Sequence, residues 1–380
     1  MSIKNYGEKS LIKIINAVVN GKELPKFEDY TAIFQAAKRH SLGNFFYFAI
    51  KDSEHVLSVD KKLAQQHFAA LAAQQVSQDY YTDEIIKRFY RENIRFMPLK
   101  GYYVKNFYPI KEMRSSCDVD IFYDYKRKKD VRRILEDLGF KFISENLSDE
   151  LYCKDKISFE MHFSLASDRE YYKQYYKDAF SMLNSVDGVK YEFSDDDFYV
   201  YFIVHAAKHF TGGGFGIRTV LDIYFCLKNL NLNREYLSKE LIKLGLDKFE
   251  NAFALLANAW FGQGVLDGDT EILGEFVMDN ATYGKFGNRS LLMSAEKSKS
   301  LKRTKFKFVL RSVFPPFAVM KSRFKILDKA PFLLPFVYVY RWIRTLFCRR
   351  DLIKKTVDNV NDMDESKIKK FARIREITGF

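Results

Sequence analysis

Cysteine is scarce in this chain. Cys117, Cys153, Cys226 and Cys348 are the only four in 380 residues, and no two form a C-x-x-C pair. Neither a zinc module of the usual spacing nor a disulfide framework is suggested, and a reducing compartment is expected. Long apolar runs are missing too. The richest, Pro331 to Tyr340, is bounded by Lys329 and Arg341 and reaches about half of the roughly 20 residues that a membrane-spanning helix requires. The opening M-S-I-K-N-Y-G-E-K-S has no apolar stretch of the kind found in a secretory leader, so a cytoplasmic location is expected.

Acidic residues are nearly absent from one stretch. Net charge is +13, yet between Lys297 and Arg350 fifteen Lys and Arg face a single acid, Asp328. That stretch alone carries +14, and the rest of the chain is close to neutral. A nucleic-acid binder spreads positive charge over a binding face, so nucleic acid is not the expected partner. From 302 to 350 the cations interleave with Phe306, Phe314, Phe332, Phe336, Tyr340 and Trp342. This pattern suits an anionic membrane surface and a peripheral place at the inner membrane face. The plainer alternative makes these aromatics the core of a helical unit.

Period and punctuation divide the chain into four segments. Residues 1–92 repeat apolar positions at three and four, as in Ile33, Ala36, Ala37 and Ala64, Phe68, Leu71, and read as a helical N-terminal unit. Residues 93–195 hold short strands. They are Ile94 to Leu99, ended by Lys100-Gly101, then Cys117 to Asp124, Phe140 to Ser144, Leu151 to Lys154 and Ile157 to Phe163, with a helix from Arg127 to Leu138. Pro98 places the first strand at an edge. Helical periodicity returns over 196–295, and 296–380 is the basic aromatic region. The expected class is α+β, a small mixed β-sheet core with helical N-terminal and C-terminal units.

On a strand, Asp118 and Asp120 share one face while Val119 and Ile121 take the other. Two carboxylates about 6 to 7 Å apart on one face repel unless a cation stands between them. A hard divalent ion, Mg²⁺ or Mn²⁺, suits such oxygen ligands and leaves positions for phosphate oxygens. In I-S-F-E-M-H-F the polar face carries Ser158, Glu160 and His162. Were the two strands adjacent, Glu160 would complete a metal-binding set of Asp118, Asp120 and Glu160, suited to in-line phosphoryl displacement. Lys100 and Gly101, at a strand-to-helix turn, and Arg114 are the expected phosphate-binding residues.

The ordered set Met97-Pro98-Leu99-Lys100-Gly101, Tyr108-Pro109, Arg114-x-x-x-Asp118-x-Asp120 and Glu160-x-His162 resembles the bacterial uncharacterised nucleotidyltransferase family of the DNA polymerase β-type superfamily. The resemblance implies a nucleotidyltransferase core in which Asp118, Asp120 and Glu160 hold metal and Gly101 lies against the nucleotide phosphates. It also implies an NTP as substrate and a link to cell-surface polysaccharide biosynthesis. One departure is Tyr102, where the broader superfamily has Gly or Ser. The expected function is metal-dependent transfer of a nucleoside monophosphate from an NTP to an acceptor, whether small molecule, sugar or protein.

Rival readings stand beside these. A lone D-x-D also occurs on solvated strand faces and in glycosyltransferases, and the same fold can serve as a non-catalytic binding module. His205 and His209, four apart, suit either zinc or a packed helix face. Arg218 and Asp222 have the spacing of a helix-surface ion pair. His162 is either a support for Glu160 or a polar strand residue.

Overall fold

The structure is a computed structural model describing residues 5–166, 170–282, 284, 288–289, 291–292, 301–324, 326–348, 350–361 and 364–380. Of the basic stretch counted from Lys297, residues 297–300, 325 and 349 lie outside the described residues. The chain forms two compact units. The first comprises residues 1–208 and 215–282, and the second residues 209–214 and 283–380.

Helices open the first unit: α1 (Tyr6–Val19), α2 (Tyr30–Arg39), α3 (Gly43–Ile50) and the long α4 (Ser58–Arg91). Asp29 caps α2, its side chain accepting from the Ala32 N–H at 2.7 Å, which satisfies one of the donors a helix leaves open at its start. A five-stranded mixed sheet follows, built from β1 (Phe96–Pro98), β2 (Asp118–Tyr123), β3 (Lys141–Glu145), β4 (Asp149–Lys154) and β5 (Ile157–His162) in the order β1-β2-β5-β4-β3. The pair β2 and β5 is parallel and the other pairs are antiparallel. Pro98, which cannot donate to a ladder, sits on the edge strand β1. The α+β class and the mixed sheet expected from the sequence are those observed.

Alternation along the strands sorts the two faces. Ile121, Tyr123, Phe159 and Met161 point into a core with Ile85 and Phe89 of α4 and with Val131, Ile134 and Leu135 of α6 (Lys128–Asp137). Burying side chains of this size stabilises by about 1.5–3 kcal/mol each. The same alternation turns Asp118, Asp120, Glu160 and His162 to the opposite face.

Between β1 and β2 lies the single-turn α5 (Gly101–Val104), continued by a 3₁₀ turn, Lys105–Phe107. After β5 come α7 (Glu170–Tyr175), α8 (Asp195–Gly212), α9 (Ile217–Asn229), α10 (Arg234–Leu244), α11 (Asp247–Phe261) and α12 (Gly268–Asp279). Three aspartates, Asp195 to Asp197, begin α8, where negative charge complements the helix dipole. Asp195 and Asp196 also accept from the Asn231 and Asn233 N–H groups.

The second unit contains α13 (Leu301–Val313), α14 (Phe317–Arg323), α15 (Ile326–Lys329), α16 (Leu334–Cys348), α17 (Arg350–Asn361) and α18 (Glu365–Thr378). A small core of Met320, Leu327 and Val337 lies within it.

Candidate active site

Parallel pairing of β2 with β5 sets Asp118 beside Ser158, Asp120 beside Glu160 and Phe122 beside His162. The strand adjacency that a three-carboxylate cluster needs is therefore present. His162 Nε2 lies 2.7 Å from Asp120 Oδ1 and 3.5 Å from Glu160 Oε2. Among the described residues, one group of three metal-ligating side chains has its donor atoms all within 4.8 Å of one another: Asp120, Glu160 and His162. Asp118, the remaining carboxylate of the expected set, stands two residues along the same strand face. Burial, then the charges of Asp120 and Glu160, push its carboxyl up to about 6.

Lys100 faces the aspartates. The Leu99 N–H donates to the Asp120 carbonyl oxygen at 3.0 Å, hooking the turn after β1 onto β2, and Lys100 Nζ donates to Asp120 Oδ1 at 3.0 Å. Burial opposes the Lys100 charge, but Asp120 outweighs it and, with a smaller contribution from Glu160, raises the ammonium above its ordinary value. Burial likewise opposes ionisation of Asp120, and Lys100 and His162 together hold that carboxyl well below the usual range. Desolvation disfavours a charged His162, yet its hydrogen bonds to Asp120 and Glu160 raise it.

The turn is strained. Lys100 has φ 38° and ψ −99°, a region that L-residues occupy at a cost of about 1–3 kcal/mol. Gly101 is needed for close approach, because a Cβ there would come 2.9 Å from Arg114 Nη1 and 3.4 Å from Ser116 Oγ. The helix that Gly101 begins is only four residues long, so its dipole is that of a single turn, weaker than the helix expected from the sequence.

Arg114 is buried. Its Nε and Nη2 donate to the two carboxylate oxygens of Asp222, both at 2.9 Å, and Tyr108 Oη donates to Asp222 Oδ1 at 2.7 Å. Asp222 is thus occupied by Arg114 and Tyr108. The ion pair expected between Arg218 and Asp222 is not formed, and Arg218 donates to the Ser115 carbonyl oxygen at 3.0 Å. Asp222 lies on the buried face of α9, where a bidentate guanidinium partner is available.

Beside the carboxylates a cavity is lined by Lys100, Ser148, His162, Ser164, Tyr201, His205 and Lys208. Tyr201, His205 and Lys208 fall at i, i+4 and i+7 of α8 and so share one face. His205 is therefore a cavity residue, while His209 falls in the last turn of α8, within the second unit. The recurrence Tyr201, His205, Lys208 was the available sequence signal for this wall. The direct bond from His162 to Asp120 was not expected from the sequence, although the shared strand face allowed it.

The profile of the family described as "Uncharacterised nucleotidyltransferase" matches residues 27–262. The chain belongs to this family. No curated protein and no solved structure matches it significantly. The family match takes in the sheet, the Lys100-Gly101 turn and helices α2 through α11, so this nucleotidyltransferase family member carries its acidic cluster inside the matched region. A nucleotide substrate follows from the family, and an acidic group able to hold a metal lies on the sheet.

Proposed function

We propose that the protein moves a nucleoside monophosphate from an NTP to an acceptor oxygen, releasing pyrophosphate. The observation carrying this reading is the parallel β2–β5 register that sets Asp120 against Glu160 within reach of His162 and of the Lys100–Gly101 turn. The donor set fits a divalent ion. Carboxylates crowded onto one strand face repel, as the raised Asp118 reports, and a cation relieves that repulsion. Asp118, Asp120 and Glu160 would hold Mg²⁺ or Mn²⁺, with His162 Nε2 as a further donor. Bound there, the ion would supply positive charge to the phosphate oxygens and acidify the attacking hydroxyl.

The remaining work falls to the chain. Lys100 carries a fixed positive charge beside the carboxylates, Gly101 lets phosphate oxygens approach the backbone, and Arg114, clamped by Asp222, props the turn from beneath. The acceptor oxygen forms a bond to the α-phosphorus as the bond to the β-phosphate oxygen breaks, the electron pair leaves with pyrophosphate, and the proton of the acceptor hydroxyl passes to solvent. We place the acceptor among precursors of cell-surface polysaccharide and the protein in the cytoplasm.

A second reading, a non-catalytic binding platform, has one observation in its favour: Lys100 Nζ already sits on Asp120 Oδ1. A screen for Mg²⁺-dependent pyrophosphate release from each common NTP, with and without cell extract, separates the two. Release abolished in an Asp118→Asn, Asp120→Asn variant supports transfer. NTP and Mg²⁺ bound equally by wild type and variant, without release, supports the platform. Turnover of sugar nucleotides in place of NTPs would point to glycosyl transfer instead.

A further inference from the structure

The second unit contains a helix that is apolar on both sides. The inward side of α16 is accounted for: Val337 is buried with Met320 and Leu327, Tyr338 packs against them, and its Oη donates to the Pro315 carbonyl oxygen. Arg341 donates to the carbonyl oxygens of Ser312 and Val313, and Trp342 Nε1 to Val313 at 2.8 Å. These bonds fix the rotation of α16 against the end of α13. The outward side consequently presents Phe336, Val339, Tyr340, Ile343, Leu346 and Phe347, spaced at three and four, with Phe336 71% and Phe347 74% exposed. Phe332, in the turn before α16, is 76% exposed. On α13, Phe306 and Leu310 are also exposed. An exposed apolar stripe along one helix face marks an interaction surface.

Charge selects the occupant. The stretch from Lys297 to Arg350 carries +14 with Asp328 as its lone acid, and Arg344 lies exposed at the edge of the α16 stripe. A second copy of this chain would bring an equal positive charge to the same face. A nucleic acid would answer the cations and leave Val339 and Ile343 without an apolar partner. A lipid surface with anionic headgroups answers both. Crossing the bilayer is excluded for the described helices, none of which is long and apolar enough. The 15 residues of α16 span about 22 Å, short of the roughly 30 Å hydrocarbon core.

We propose that α16 lies in the plane of an anionic membrane, its Phe336–Tyr340–Ile343–Phe347 stripe among the acyl chains and its flanking Arg and Lys among the headgroups. Trp342 and Tyr338 hold the helix to the second unit while it does so. This attachment goes beyond nucleotidyl transfer and is independent of it.

The test is co-pelleting of the full chain with phosphatidylcholine vesicles, with and without phosphatidylglycerol, at about 0.15 M salt. The expected result is binding that requires phosphatidylglycerol and weakens as salt rises. A Phe336→Ser, Ile343→Ser, Phe347→Ser variant is expected to bind at least about tenfold more weakly with unchanged helix content, since all three side chains are exposed. An Arg344→Glu, Lys307→Glu variant is expected to lose its preference for anionic lipid, because each cation near the headgroups strengthens attachment about fivefold. Equal binding to neutral vesicles, or no binding to either kind, overturns the proposal. So does a serine variant that dissociates a dimer in sedimentation while vesicle binding stays intact. Since no arm reads catalysis, pyrophosphate release and lipid binding can fail separately.

Discussion

Asp222 on α9 and Arg114, 108 residues earlier, form a buried ion pair with Tyr108 as third member. Removing one partner leaves a buried charge uncompensated. Asp222→Ala is accordingly expected to lose about 3–5 kcal/mol in urea unfolding, whereas replacing both Arg114 and Asp222 with apolar residues should lose less. His40 is a second buried group of consequence. Its Nδ1 accepts from the Ile217 N–H at 3.2 Å, and a Cβ on Gly216 would come within 2.4 Å of that nitrogen. Gly216→Ala is therefore expected to lower the melting temperature by several degrees. Burial, reinforced by Arg39, pushes His40 down to about 3, against about 6.5 in an unfolded chain. Because the folded state disfavours the proton, the His40 contribution is complete above about pH 6.5 and is lost as pH falls toward 3, by up to about 1.4 kcal/mol per pH unit. Urea midpoints at pH 7.5 and 5.0 should diverge in wild type and converge in a His40→Asn variant.

At the scale of elements, the β2–β5 pair decides both stability and chemistry. A one-residue slip would exchange the acids for Val119 and Phe159. Phe159→Ala, opening a void between the sheet, α4 and α6, is expected to reduce stability by about 3–5 kcal/mol, read by chemical denaturation. Asp120→Asn takes the partner from the buried Lys100 ammonium, so it should reduce stability in urea unfolding as well as lower pyrophosphate release by about a hundredfold or more; His162→Gln should lower release less while raising the metal concentration needed. These strands were legible in the sequence because period-two alternation in D-V-D-I-F and I-S-F-E-M-H is short-range information, as is Gly139 ending α6. The turn at Lys100 was legible as a turn, but its single-turn helix and the ammonium directed at Asp120 were not, since both depend on the hook from Leu99 to β2. Asp222 looked like a partner for Arg218 four residues away because spacing cannot reveal a partner 108 residues distant.

For the whole molecule, burial is unevenly shared. Sheet and flanking helices enclose many fully buried aromatics, including Phe89, Phe96, Phe140 and Phe159, whereas among the described residues α14 to α16 share a small core of Met320, Leu327 and Val337. Amide exchange is therefore expected to be slowest in β2 and β5 and fast in α16, with α16 slowing when anionic vesicles are added.

Lys100 also bears on how the molecule persists without a bound metal. With its ammonium bonded to Asp120, the acidic cluster carries a built-in counter-ion, unlike domains whose folding energy is metal-binding energy. Treatment with a chelator is expected to stop pyrophosphate release yet shift the melting temperature by no more than about 2 °C. The protein would then wait folded in a metal-poor cell and respond to rising Mg²⁺ or Mn²⁺ as a matter of occupancy alone.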